Sequence, residues 1–172
     1  KLEAENIRQL IAPQAPSSHI MRAARQHANE YRNVAYNSHD TQGYARSWPH
    51  ASSNSEYRDM PAFAACNAIN GKTANQGHGR AFPSWGPDKQ RKLWWKVDFG
   101  RLVETDKIVL YVRADFPHDD FWHSATIEFS DGTKESIKLQ KTAGPQVFRF
   151  NKRNVSWLRL TDLEEAEPLG WC

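Results

Sequence analysis

The chain has 172 residues, a length that suits one domain, or one domain with a short appendage, and that is sufficient to bury a core without disulfides. Its net charge of +3 is too small to indicate a nucleic-acid partner, and no apolar run approaches the ~20 residues of a membrane-spanning helix. Aromatic residues reach 12%, which indicates either an aromatic core or rings that stack on a ligand. The two cysteines, Cys66 and Cys172, allow at most one disulfide, and their spacing does not decide whether they pair.

Residues 1–32 differ from the rest of the chain because their apolar residues follow a helical period. One helix is indicated over 3–11 and ends before Pro13. A second helix follows, with Ser17 or Ser18 as its cap. We therefore interpret 1–32 as two short helices appended to a domain that comprises residues 33–172.

Residues 33–92 are mostly irregular in pattern. A short strand is indicated at 33–37, and one helix at 61–69, which Pro61 begins and the Asn70-Gly71 turn ends. The stretch 72–92 has no periodicity. A loop of that length in a compact domain is usually functional or disordered, and its Trp, Phe and His residues argue against disorder.

Short strands dominate the remainder of the chain. Alternating apolar and polar residues predict strands over 94–100, 107–113, 124–130, 134–139, 146–150 and 155–160. Asp131-Gly132 predicts a tight hairpin between the third and fourth of these strands. Trp95 and Trp157 alternate with apolar neighbours, so both are expected in the core. Because no helix interrupts the strands, the pattern favours a mainly β fold, an antiparallel sandwich, over a parallel sheet.

The order of five sequence landmarks resembles the discoidin-like, or coagulation factor V/VIII type C, domain and its bacterial relatives, the galactose-binding-like carbohydrate-binding modules. The landmarks are the turn at 68–71, the Ser84-Trp85-Gly86 loop, WWKVDFG (94–100), KIVLYVR (107–113) and FSDGT (129–133). The resemblance covers about 33–165 and implies an eight-stranded jelly-roll sandwich that binds its ligand through loops at one end. The two leading helices are not part of the family's domain, and the chain ends about where the family's last strand begins.

The segment RADFPHDDFWH (113–123) combines a guanidinium, carboxylates, imidazoles and aromatic rings between two predicted strands. Sugar recognition needs this mixture, because hydroxyls take directed hydrogen bonds and the C–H face of a sugar ring packs on a flat ring. The resemblance implies hydrogen bonds between the sugar and Arg113, Asp115 and His118. We also expect Asp119 to contact the ligand and Trp122 to stack on the sugar ring. The alternative is a self-contained loop in which Arg113 pairs with Asp115 or Asp119.

A second loop, 77–85, lies beside the first in the related modules, which implies that His78 contacts the ligand. Trp85 matches a loop tryptophan that usually packs inside those domains, so both a core role and a ligand contact stay open. Trp48-Pro49-His50 forms a third loop, which we interpret as structural.

The resemblance also implies a structural calcium ion, which in this chain would fall on Asn70 and Thr73. Calcium takes six to eight oxygen ligands and prefers carboxylates. Here the usual Asp of the turn is Asn70, Lys72 adds a positive charge, and the family's last-strand Glu is lacking. These departures argue against the ion.

The function expected from these features is non-catalytic carbohydrate binding by a module of a larger bacterial protein, outside the cell or on its surface. The main alternative is a structural or protein-interaction domain that docks a neighbouring domain, without nucleic acid or membrane insertion. An enzyme is the weakest interpretation, because neither the adjacent Asp119-Asp120 nor the pair His118 and His123 has the spacing of a catalytic or metal site. The sequence also contains no GxSxG, HExxH or P-loop motif.

Overall fold

The computed structural model of this chain describes residues 31–74, 82–113 and 120–166. The chain divides into two compact units, Lys1–Asn33 and Val34–Cys172. The two helices predicted within 1–32 lie outside the described residues. In the described ranges, no helix has the length and apolar character needed to cross a bilayer.

The described part of the second unit is built on antiparallel strands. They are β1 (His50–Ser53), β2 (Trp95–Leu110), β3 (Trp122–Phe129), β4 (Lys134–Lys138) and β5 (Gln146–Glu165). Neighbouring strands pair in the order β1-β2-β5-β3-β4, and every pairing is antiparallel. The predicted Asp131-Gly132 hairpin joins β3 to β4, with Gly132 at a φ of +85°. The mainly β, antiparallel fold class is therefore confirmed.

β5 is one long strand that folds back on itself, where the sequence predicted two short strands. Phe129 pairs with Leu158, and a straight strand would place Phe150, eight positions away, ~26 Å from that pair. The ring centroids of Phe129 and Phe150 are instead 4.9 Å apart. β5 must therefore turn between Phe150 and Leu158, so that its two halves lie in facing layers.

β2 bends together with β5, since the two strands are paired along most of their length. Their register shifts between Asp98 and Val103 and again between Thr105 and Lys107, the two irregular points of the pairing. Strands 94–100 and 107–113 of the sequence prediction are thus two arms of one strand. In the described residues, five strands are enough to build the two layers because the long strands β2 and β5 each contribute to both.

Gly100 lies at the bend of β2 and has a φ of +65°. A Cβ atom at this position would lie 2.3 Å from Cγ of Trp48, so the Trp48 ring packs directly on the glycine. Gly100→Ala is expected to lower the free energy of unfolding by about 1–3 kcal/mol through backbone strain, and further through the clash. Urea unfolding measures this loss.

Gly132→Ala is the matched control for that substitution. Gly132 also has a positive φ, of +85°, but a Cβ there meets no atom within 4 Å. The control therefore reports backbone strain alone. Equal losses of stability in the two variants would contradict a packing role for Trp48.

The buried residues of β2 and β3 confirm the predicted alternation of buried and exposed side chains. Trp95, Val97 and Phe99 are buried, and so are the next strand's core residues, Ala125, Ile127 and Phe129. Trp157, however, was wrongly predicted as core. Leu158 and Leu160 are the buried residues of this arm of β5, so Trp157 falls on the opposite, outer face, where the Lys96 ammonium lies 5.0 Å from its ring centroid.

The helix predicted over 61–69 is also wrong. Two short 3-10 helices, Pro61–Phe63 and Ala65–Ile69, are separated by Ala64 in an extended conformation. A residue outside the segment accounts for the interruption: the backbone N–H of Ala65 donates to Oε1 of Glu56 at 2.7 Å. The segment 33–37 is likewise not a strand, although Asn37 donates its backbone N–H to the carbonyl of Ile69 at 2.9 Å.

Candidate functional site

Arg113 lies just beyond the last residue of β2, at the same end of the sandwich as the first residue of that strand. Its Nη1 donates to the carbonyl oxygen of Phe82 at 3.4 Å. In the same loop, Nε1 of Trp85 donates to the carbonyl oxygen of Ser55 at 2.9 Å. Ser55 follows β1, whose Ser53 pairs with Trp95 at the start of β2. The loop after residue 81 therefore connects the two ends of the bent strand.

Trp85 and Trp122 bring the two sequence-predicted binding loops together. Their ring centroids are 5.4 Å apart and the planes are inclined by 28°, which is a stacked arrangement. Both rings are half-buried and pack against the hydrophobic core. Trp85 thus packs against the core, as the first of its two predicted roles requires. Its stack on Trp122 also places it in the candidate site.

Oγ of Ser84 and Nε1 of Trp122 are buried without a hydrogen-bond partner among the described residues. A buried donor left unsatisfied costs about 1–3 kcal/mol, so such atoms are rare in folded proteins and call for an explanation. Trp122 is itself part of the stack, and Ser84 precedes Trp85 in the chain.

Ser55 anchors the loop that carries Trp85, and sequence reasoning missed it. The buried Ser55 hydroxyl oxygen accepts hydrogen bonds from the backbone N–H of Asp88 at 2.9 Å and from Nε2 of Gln90 at 3.2 Å. These contacts join residues more than thirty positions apart, and no local pattern could have revealed them. The anchored loop presents a fixed surface beside Arg113.

The other predicted ligand contacts fall outside the described residues. They are His78, in the segment before Phe82, and Asp115, His118 and Asp119, in the segment after Arg113. Their roles stay predictions. Within 31–74, 82–113 and 120–166, no three His, Cys, Asp or Glu side chains are grouped to hold a metal ion.

The turn at Asn70 and Thr73 does not present a donor set that fits calcium. Oδ1 of Asn70 accepts a hydrogen bond from the backbone N–H of Lys72 at 2.8 Å, which closes the turn with protein groups alone. Gly71 has a φ of +82° and packs on the Tyr36 ring, where an added Cβ would lie 2.6 Å from Cε2.

Calcium is therefore expected to leave the stability of the protein unchanged. Adding millimolar calcium, or a chelator, to the purified protein should shift the melting temperature by no measurable amount. A site with one side-chain amide, a hydroxyl and a nearby Lys72 offers no carboxylate to a divalent cation. Differential scanning calorimetry tests this, and a calcium-dependent rise in melting temperature would contradict it.

Cys66 carries a free, half-buried thiol. Burial raises the pKa of this thiol, and the negative charges of Asp40 and Glu56 raise it further. The group therefore stays protonated and weakly nucleophilic at neutral pH. Cys172 lies outside the described residues.

Comparison with known proteins places the chain in a family. Residues 43–166 match the family described as "Domain of unknown function (DUF7402)". The chain belongs to this family. The match begins after Gln42 and extends through all five strands of the described fold, so the DUF7402 domain includes both Arg113 and the Trp85–Trp122 stack. No curated protein matches the sequence significantly.

Solved structures similar to this DUF7402 member are carbohydrate-binding modules. A chitosan-binding module from a chitosanase/glucanase of Paenibacillus sp. IK-5 is 18% identical over 82% of this chain and 93% of its own, with a TM-score of 0.55. The family 32 module of Clostridium perfringens NanJ, solved with galactose, is 16% identical over 69% and 84%, with a TM-score of 0.52. A Streptococcus pneumoniae fucose-binding module is 12% identical over 83% and 94%, with a TM-score of 0.55. At these identities the likeness establishes the fold, a discoidin-like β-sandwich.

Proposed function

We propose that this DUF7402 domain is a non-catalytic carbohydrate-binding module whose site surrounds Arg113. One observation carries the proposal: the contact of Arg113 with Phe82 places a guanidinium at the end of the sandwich that holds the Trp85–Trp122 stack. A fixed hydrogen-bond donor beside a flat aromatic surface is the combination that sugar binding needs.

The chemistry of the site follows from its residue types. The planar guanidinium of Arg113 carries five N–H donors in a fixed fork, of which Nη1 donates to Phe82, and the remaining donors would bind sugar hydroxyl oxygens. The carboxylates of Asp115 and Asp119 would accept hydrogen bonds from sugar hydroxyls, and His78 and His118 would donate or accept. Trp122, stiffened by its stack on Trp85, would support the C–H face of the ring.

The domain would act as one part of a larger bacterial protein outside the cell or on its surface. The three similar modules come from bacteria; they are a chitosan-binding module, a fucose-binding module and a module solved in complex with galactose. A shallow end-loop site on a small sugar makes few desolvated contacts, so its single-site affinity would be weak. Repeated sites on a polysaccharide or on tandem modules would raise the overall affinity by avidity.

A glycan array probed with the purified protein tests the proposal. The expected result is binding to a discrete set of related glycans, which then compete in solution. A blank array from a protein that melts cooperatively would contradict carbohydrate binding. The bound glycans should release no reducing sugar on incubation with the protein, and turnover would contradict the non-catalytic part.

A second candidate function, docking of a neighbouring domain, is favoured by one apolar surface at the bend of β2. Trp48 and Leu102 flank Gly100 and are 53% and 69% exposed. Large apolar side chains on a surface mark interaction sites when they are adjacent. Capture of a partner chain that depends on Trp48 and Leu102 and is unaffected by any glycan would favour this function over sugar binding.

A further inference from the structure

We infer that Tyr111 extends the Arg113 site into a second sugar subsite, so that the ligand is an oligosaccharide of at least two residues. The inference rests on the proposed function. It assigns a role to a residue that neither the predicted loops nor the family resemblance singles out.

The position of Tyr111 follows from the alternation at the end of β2. Ile108, Leu110 and Val112 pack against the core. The intervening residues therefore point away from the core, and Tyr111 is 48% exposed. Val112 packs against the core, so the alternation of β2 continues past Leu110, and by the same alternation Arg113 leaves the backbone on the side of Tyr111, ~7 Å further along an extended chain.

The exposure of Tyr111 contrasts with that of the two tryptophans of the site. Trp85 and Trp122 are half-buried, stack on each other and pack against the core, so much of their ring surface is already covered. A sugar held by Arg113 and the tryptophans would have its neighbour in the glycan chain lying beside the Tyr111 ring. The exposed tyrosine offers that second sugar a ring face and a phenolic hydroxyl.

The surface next to Tyr111 is also apolar and exposed. Val109 and Val147 are paired across β2 and β5, and both are exposed, Val147 by 51%. Together with Tyr111 they form an apolar strip that leads away from Arg113 along the outer face of the sheet. An exposed strip of this kind, continuous with a polar anchor, suits a glycan chain that rests its C–H faces on the protein.

The test compares glycans of increasing length that share one terminal sugar. The probes are galactose and GalNAc-β-1,3-galactose, glucosamine and chitotriose, and mono-, di- and trisaccharides from the same array. We expect the unmodified protein to bind the longer member of the recognised series about tenfold more tightly than the monosaccharide. Tyr111→Ala should abolish that advantage and leave the affinity for the monosaccharide unchanged.

Two further variants separate the ring from other effects. Tyr111→Phe keeps the ring and should preserve most of the advantage of the longer glycan. Tyr44→Ala removes a tyrosine that is 65% exposed and lies over Arg46, and it should change nothing. Melting temperatures of all variants show whether each is folded.

The outcomes distinguish this inference from the proposed function. If the longer glycan keeps its advantage in Tyr111→Ala while Arg113→Ala loses binding, the second subsite is wrong and the Arg113 site stands. If no glycan on the array binds, the proposed function fails and the inference fails with it. If Tyr111→Ala and Arg113→Ala both bind all glycans normally, the sugar site lies elsewhere on the protein.

Discussion

Replacing Arg113 with alanine is expected to weaken glycan binding by about 10- to 150-fold, the equivalent of losing hydrogen bonds from a charged donor. Of the loop residues proposed to hydrogen-bond the first sugar, Arg113 is the one within the described residues, and its Nη1 contacts the carbonyl oxygen of Phe82 at the end of the sandwich. Because the substitution also removes the hydrogen bond to Phe82, affinity is compared at a temperature at which the melting curve shows the variant to be folded. Isothermal titration with the best array glycan measures the change.

Two variants sharpen this experiment. Arg113→Lys keeps the positive charge but loses the planar fork, so binding should stay weak if paired hydrogen bonds matter more than charge. Arg101→Ala removes an exposed arginine at the bend of β2 and should bind normally. Unchanged affinity in Arg113→Ala, with an unchanged melting temperature, would contradict the site.

Replacing Phe129 with alanine is expected to lower the free energy of unfolding by about 3–5 kcal/mol, as for other large aromatic residues in cores. Phe129 is 1% exposed, and its ring meets that of Phe150 at 4.9 Å. The Arg153 guanidinium lies 4.3 Å from the centroid of the Phe129 ring. The substitution leaves a cavity between the two arms of β5, where no neighbour can fill it without moving the bend.

Val147→Ala serves as the control for this measurement. Val147 belongs to the same strand but is 51% exposed, so its truncation should change stability by no more than about 0.5 kcal/mol. Urea unfolding of both variants gives the comparison. A loss below about 1 kcal/mol for Phe129→Ala would mean that the fold-back of β5 does not depend on this contact.

The strands themselves were predictable because their signal is local. Apolar residues at every second position assign Trp95, Val97 and Phe99 to one face whatever the partner strand is, and the structure buries all three. The helix predicted over 61–69 failed for the opposite reason. The backbone N–H of Ala65 donates to the side chain of Glu56, nine positions away, and no residue pattern within 61–69 predicts that hydrogen bond.

Part of the candidate site could also be predicted from the sequence. Arg113 and Trp122 are close along the chain, and the resemblance to carbohydrate-binding modules placed them in one end loop. The stack of Trp122 on Trp85 was not predicted as a contact, since 37 positions separate the two residues (122 − 85). Tyr111 gave no signal of its own, because its exposure depends on which side of β2 faces the core.

The sequence by itself determined most of the strand positions after residue 94, which faces of β2 and β3 are apolar and which loop concentrates polar and aromatic side chains. These properties follow from the two-residue period of a strand and from residue chemistry, both of which are local. Only the tertiary structure decided that β2 and β5 bend into two layers, that Trp157 lies outside the core and that Trp85 meets Trp122. Each of these depends on contacts between residues distant in sequence, and packing selects such contacts for the chain as a whole.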